Sequence, residues 1–223
     1  MKGSALGLMV IGGLAACSDD HFDVKTDLAG SRTIWQNIAE NEQLQDFAAV
    51  LKRTRVMKND YDNKSVQTYA EFLNLPQSYT VWAPKDGTYD VQTYLSMLDE
   101  AEALKATGNP EDLDAALDLE YRVGNQFVLN HVARFNYESN KGEQTINMLN
   151  GKKFEYNAGL GEFNSVQVDN ATGNINASNG SMHLLEGISP YAYNLYDFLK
   201  YNEDYSMSYA FLSDSVFEST EFY

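Results

Sequence analysis

The stretch SYTVWAPKDGTYD (Ser78–Asp90) decides how the rest of the chain is read. Tyr79-Thr80-Val81-Trp82 is a run of β-branched and aromatic residues, the composition of a buried strand. Ala83-Pro84 should end it, because proline has no N–H to give a sheet ladder. Lys85-Asp86-Gly87 then opens a polar turn, with Asp86 placed to cap the helix that follows. Such a break either presents catalytic groups at a strand end or simply turns the chain. The choice rests on what the neighbouring segments bring.

Upstream, TIWQNIAENEQLQDFAAVLKRT (Thr33–Thr54) spaces Ile34, Trp35, Ile38, Leu44, Phe47, Val50 and Leu51 at near-helical intervals, with Asn41 between two short helices and Thr33 as N-cap. Thr68–Pro76 reads as a further short helix closed by Pro76. Downstream, residues 91–122 read as helical with a break at Gly108-Asn109-Pro110, proline suiting a first helical turn. The acids Asp99, Glu100, Glu102, Glu111, Asp112, Asp114, Asp118 and Glu120 fall on faces away from Leu98, Leu113, Leu117 and Leu119, a solvated helical face rather than a catalytic carboxylate pair. Asn125–Tyr137 reads as a largely buried helix. Beyond Lys141-Gly142 the texture changes to strands: Asn150-Gly151 suits a tight hairpin turn, Val166 and Val168 alternate, and Thr172-Gly173-Asn174 and Asn179-Gly180 turn the chain again before Met182-His183-Leu184-Leu185. Helices first and strands second argue for an α+β fold.

Composition bounds the function. The 223 residues are 43% apolar and 13% aromatic, enough to bury a core and far from a disordered composition. A formal charge of -16 repels nucleic-acid phosphate and excludes a nucleic-acid binder. The single cysteine, Cys17, forbids an intrachain disulfide. It follows a basic Lys2 and an apolar run from Ala5 to Ala16, too short for an ordinary membrane span and ending in small residues as secretory signals do. Leu14-Ala15-Ala16-Cys17 resembles the lipobox of bacterial lipoproteins, which implies a signal peptide over residues 1–16 and lipidation of Cys17. The mature chain would then carry a charge of -17, since only Lys2 is lost. Ser18-Asp19-Asp20 resembles the surface-export signal of Bacteroidetes-type lipoproteins, and residues 17–32 read as a polar tether.

Four blocks in order resemble a fasciclin-like domain over residues 33–190. They are the leading helix pair at Thr33–Leu51, YTVWAPKDGTYD with its strand ending in Ala-Pro, the apolar-His segment FVLNHVARF, and NINASNGSMHLLEGIS, where Asn-Gly leads an apolar-His-apolar strand. Two departures are the long helical insertion around residues 94–120 and Lys85-Asp86-Gly87 in the polar turn. The resemblance implies helices packed on a β-sandwich or wedge of mostly antiparallel strands. It also gives Trp82, Ala83, Pro84, His131, Asn179, Gly180 and His183 structural roles, with Trp82 pointing into the core or a helix interface.

Past that span, NLYDFLKYNEDYSMSYAFL (Asn194–Leu212) echoes Thr33–Leu51 at a constant offset of 161: Ile34 with Leu195, Trp35 with Tyr196, Ile38 with Leu199, Asn41 with Asn202, Glu42 with Glu203, Ala49 with Ala210 and Leu51 with Leu212. Self-similarity at a fixed period marks a tandem array. Residues 191–223 are therefore expected to begin a second, truncated repeat.

No Gly-x-Ser-x-Gly elbow, His-Glu-x-x-His, phosphate-binding glycine loop or paired-cysteine site occurs. His21 lies in the tether, and His131 and His183 sit among apolar residues as core histidines do. Asp169–Asn174 is too irregular for a calcium loop, and Asp214-Ser215-Val216 resembles a Bacteroides O-glycosylation acceptor. The expectation is a non-enzymatic lipoprotein without cofactor or metal, anchored in the outer membrane by its lipid and displayed at the cell surface. The resemblance implies an adhesive or scaffolding module with a protein partner. The alternative is a glycan-binding accessory of a polysaccharide-uptake system, using exposed rings among Tyr61, Tyr69, Tyr137 and Tyr156.

Overall fold

A computed structural model of the chain describes residues 30–56, 65–137, 142–169, 171 and 174–213. The signal peptide, Cys17, Ser18, Asp19, Asp20, His21, Tyr61, the Thr172-Gly173 turn and Asp214-Ser215-Val216 lie outside the described residues.

Local chemistry sets the helix ends. α1 (Ile34–Glu40) starts in a capping box, the Thr33 side chain accepting from the Gln36 N–H while the Gln36 side chain returns to the Thr33 N–H, and it stops at extended Asn41. α2 (Gln45–Arg53) has no cap from its own Leu44. Its cap comes from across the fold: Asp86 Oδ2 and Oδ1 accept from the Gln45 and Asp46 N–H groups at 2.8 and 3.0 Å. Asp86 thus caps a helix that precedes it, not the one that follows. α4 (Gln92–Thr107) instead takes Asp90, which accepts from the Gln92 N–H at 3.0 Å. Thr68 and Glu71 box the single turn of α3 (Tyr69–Phe72). α5 (Pro110–Tyr121) opens with Asn109 as N-cap and proline in its first turn, after Gly108 closes α4 at φ 70°.

The segment expected as one buried helix to Tyr137 is not one. A π-helical turn (Arg122–Val128) and a 3₁₀ turn (Leu129–His131) lead into strand β2 (Val132–Arg134), because edge pairing with β1 captures the chain there. The acids of α4 and α5 lie mostly on the solvated face expected of them: Asp99, Glu100, Glu102, Glu111 and Asp114 are exposed, and Asp112, Asp118 and Glu120 are half-buried. Asp99 and Glu102 pair with Arg53, Glu120 with Lys105, and Asp118 with Lys200, while Leu113 is exposed and Ala116 is the buried residue of α5.

The fold is mixed α+β, with two four-stranded sheets. The first has the order β2-β1-β8-β7, from β1 (Tyr79–Pro84), β7 (Ile175–Ala177) and β8 (Gly180–Leu185). Its central pair, β1 and β8, is parallel with Tyr79 opposite Gly180 and Pro84 opposite Leu185; its other pairs are antiparallel. The second sheet is an antiparallel meander of β3 (Glu143–Asn147), β4 (Lys153–Asn157), β5 (Glu162–Phe163) and β6 (Val166–Gln167). Asn150-Gly151 sits in the β3–β4 turn, with Gly151 at φ 79°.

β1 runs two residues further than its sequence suggested. Tyr79 N donates to Asn179 O and Lys85 N to Leu185 O, so odd-numbered N–H groups face β8. Pro84 turns its missing donor to the other side, where β2 has already ended opposite Val81. Both faces of this sheet are buried, which is why Tyr79–Pro84 reads as an unbroken apolar run. One face, with Tyr79, Val81, Ala83, Met182 and Leu184, packs under α1, α2, α3 and the π-helical turn. The other, with Trp82 and Leu185, packs on Ile146, Phe154, Tyr156 and Phe163 of the second sheet. The result is three layers: helices, parallel-centred sheet, meander.

The layers are joined at Asn179-Gly180. The buried Asn179 side chain accepts from the Ile34 N–H at 2.8 Å and donates to the Leu73 and Leu75 carbonyls at 2.9 and 2.7 Å. It satisfies an orphan donor at the start of α1 and an orphan acceptor at the end of α3. Gly180 has φ 135°, and a Cβ there would lie 1.8 Å from the Tyr79 carbonyl oxygen. The folded body also starts earlier than expected: Arg32 O accepts from the Ser178 N–H at 2.8 Å, so Gly30–Arg32 belong to it and not to a free tether.

Asn179→Leu keeps the branch at Cγ but removes the side-chain partner of the Ile34 N–H and of the Leu73 and Leu75 carbonyls. It should cost on the order of 3 kcal/mol, read as a lower urea midpoint with unchanged slope. Gly180→Ala should cost at least as much, and an unchanged midpoint in either variant would contradict this account.

Candidate functional site

The motif residues are spent inside the cores. Trp82 lies between the two sheets, not against a helix: its ring stacks on Phe163 at 4.3 Å with 7° between planes and on His183 at 5.7 Å with 21°. Ala83 and Pro84 finish β1. His131 packs edge-on to Phe47 and Phe127 on the helical side of the sheet. Its Nδ1–H donates to the Phe127 carbonyl at 2.7 Å, and its Nε2 accepts from the Ser189 N–H at 2.9 Å. Those two bonds require the neutral ring and fix its tautomer. Asn130 ties the same strand start from beside it, donating to the Ser189 carbonyl and accepting from Asn150.

Burial pushes His131 down to about 4, its bond to Phe127 opposing the shift, and burial likewise pushes His183 down to about 4 against a bond to the Tyr137 backbone. The two imidazoles lie in different cores with a sheet between them. Among the described residues no group of three His, Cys, Asp or Glu side chains could hold a metal ion. Lys85 pairs with Asp169 at 3.2 Å and with Glu186 at 2.8 Å, which ties the end of β1 to the chain leaving β8.

Of the tyrosines expected to stack on sugars, Tyr61 lies outside the described residues, Tyr137 is half-buried, and the other two do not reach solvent. Tyr69 and Tyr156 are buried in the two cores, and Tyr137 packs on Trp82 at 6.3 Å. The free aromatic surface lies elsewhere. Of the thirteen large apolar side chains exposed among the described residues, eight fall between Tyr193 and Leu212. Tyr193 precedes α6 (Leu195–Tyr201), and the other seven belong to α6, a 3₁₀ turn (Glu203–Tyr205) and α7 (Ser206–Ser213). A cleft of about 560 Å³ opens there, lined by Tyr193, Phe198, Tyr201, Asn202, Glu203 and Asp204. The sequence carried a signal for this face in its echo of Thr33–Leu51, but amphipathic spacing alone does not say whether a stripe is covered.

The pair is held to the body through one side of α6. Asp118 pairs with Lys200 and accepts from Tyr201 Oη at 2.9 Å; the Arg122 guanidinium lies 4.9 Å over the Tyr201 ring; Tyr191 Oη donates to Asp197 at 3.3 Å. No family model matches the chain, and no curated protein matches it.

Both buried imidazoles stay neutral well below their ordinary 6.5, so the unfolded chain binds protons that the folded one refuses. Their contribution is intact above pH 6.5 and is lost as pH falls toward 4. His183→Phe keeps the ring on Trp82 and removes one of these protons. Its stability should fall less steeply than that of the parent chain between pH 6.5 and 4 in urea titrations, and an identical slope would contradict the assignment.

Proposed function

We propose that the chain is a lipid-anchored, surface-displayed outer-membrane lipoprotein with a fasciclin-like domain, and that it acts by holding proteins together in adhesion or at a membrane complex rather than by catalysis. The observation that carries this reading is the distribution of chemistry over the fold. Among the described residues, His131, His183, Trp82 and Asn179 are consumed in packing, while most of the exposed large apolar side chains lie on or beside a helix pair. Exposed patches of this kind, rimmed by polar residues, are what protein contacts use. The four ordered blocks support the family reading. Helices cover one face of the central sheet and a meander the other, as the resemblance implies. Cys17 supplies the anchor and Ser18-Asp19-Asp20 the export signal.

A second reading is favoured by the cleft beside α6. Tyr193, Phe198 and Tyr201 offer ring faces, and Asn202, Glu203 and Asp204 offer planar acceptors for hydroxyl groups, the combination that binds a saccharide. On that reading the protein is a glycan-binding accessory of polysaccharide uptake.

Cys17→Ser should move the protein from the membrane fraction to the soluble one and abolish its labelling by radioactive palmitate. Leu195→Asp with Met207→Asp should leave the melting temperature within about 2 °C, since both side chains are exposed. The same double variant should lose a partner captured at fixed stoichiometry from cross-linked outer membranes. Micromolar saccharide binding that disappears in Tyr193→Ala would turn the assignment to the glycan reading.

A further inference from the structure

The echo between the two ends of the chain extends to individual hydrogen bonds. α1 spans Ile34–Glu40 and α6 spans Leu195–Tyr201, the same seven positions at the offset of 161. Thr33 accepts from the Gln36 N–H at 3.2 Å, and Asn194, at the equivalent position, accepts from the Asp197 N–H at 2.7 Å. Asn41 ends α1 and its Oδ1 accepts from the Gln43 N–H at 2.9 Å; Asn202 ends α6 and accepts from the Asp204 N–H at 3.2 Å. The next backbone bond is also shared, Leu44 N to Asn41 O at 3.1 Å and Tyr205 N to Asn202 O at 3.0 Å. Two unrelated amphipathic helices have no reason to agree on a cap, a stop and a turn.

What differs is the cover. Ile34, Leu44 and Leu51 are fully buried, whereas their counterparts Leu195, Tyr205 and Leu212 are 71%, 43% and 39% exposed. In the first pair the cover is the helical-side face of the first sheet, Tyr79, Val81 and Ala83 of β1 with Met182 and Leu184 of β8. α6 moreover carries two stripes at i, i+3, i+4 spacing on opposite sides. Asp197, Lys200 and Tyr201 form the polar stripe that docks on Asp118, Arg122 and Tyr191. Leu195 and Phe198 lie on the opposite side and are 71% and 43% exposed, while Leu199 beside them is buried, as is its counterpart Ile38.

We propose that α6 and α7 are the leading helix pair of a second unit of this same fold, and that the occupant of their apolar stripe is that unit's parallel-centred sheet, carried by the protein beyond residue 223. This names the partner for the face read above as a contact surface, and so rests on that reading. The polar stripe, fixed to Asp118 and Arg122, makes α6 a wall shared by both units and sets their relative orientation. By the same offset, the strand equivalent to β1 begins about 45 residues after Leu195.

The test compares amide hydrogen exchange in the 223-residue chain with that in the chain lengthened by about 130 residues from its own reading frame, the length from Asn63 to Pro190 in the first unit. In the shorter protein, Leu195–Ser213 should exchange at least about a hundredfold faster than α1 and α2, as uncovered helices do. In the longer one that gap should close to about tenfold or less. Leu195→Glu should reopen it while leaving α1 and α2 unchanged, and Leu113→Glu, on another exposed site, should leave it closed. A stop codon after residue 223, unchanged exchange on lengthening, or a dimer of the shorter chain that protects the segment unaided would overturn the proposal. A partner still captured from membranes after any of those results would leave the contact-surface reading standing.

Discussion

Everything in this fold hangs on how closely β8 approaches β1. Gly180 lies opposite Tyr79 with no room for a Cβ, and the neighbouring Asn179 uses that position to reach α1 and α3 at once. Parallel strands cannot be joined by a tight turn, so this pair is closed only by contacts 101 residues apart in the chain. The asparagine supplies side-chain bonds where helix ends would otherwise leave buried N–H and C=O groups unpaired, and the glycine supplies space. Together they fix the register from which the helical layer and the meander take their positions.

A sheet buried on both faces also accounts for the aromatic and imidazole groups. Trp82 needs a partner layer on the side away from the helices, and the meander provides it with Phe163, Tyr156 and Phe154. His131 is a hydrogen-bonding spacer: it takes a carbonyl from the π-helical turn and an N–H from the chain leaving β8. A protonated ring could not accept from Ser189, so the packing and the low proton affinity have one cause. Groups held this way are unsuited to moving protons near neutral pH.

The end of the chain follows a different economy. α6 is held to the body by charges and a tyrosine rather than by apolar burial, and such contacts position a helix without covering its hydrophobic stripe. Leu195, Phe198, Tyr205 and Met207 of this helix pair stay exposed among the described residues.

Much was legible in the sequence because it depended on neighbours a few residues apart. The helix boundaries at Thr33, Asn41, Thr68 and Asn109-Pro110, the turn at Asn150-Gly151, the buried strand at Tyr79 and the echo at Asn194 are all local patterns of capping, turn chemistry and period. The α+β class followed from their order. What only the tertiary structure decided was what lies across space from each pattern. Asp86 caps α2 and not α4, Val132–Arg134 becomes a strand because β1 is beside it, Asn179 is a staple rather than merely a turn residue, and Tyr69 and Tyr156 are core rings. The reason is that a side chain's periodicity records which face it occupies, whereas its partner, its pairing edge and its exposure are set by segments far away in the chain.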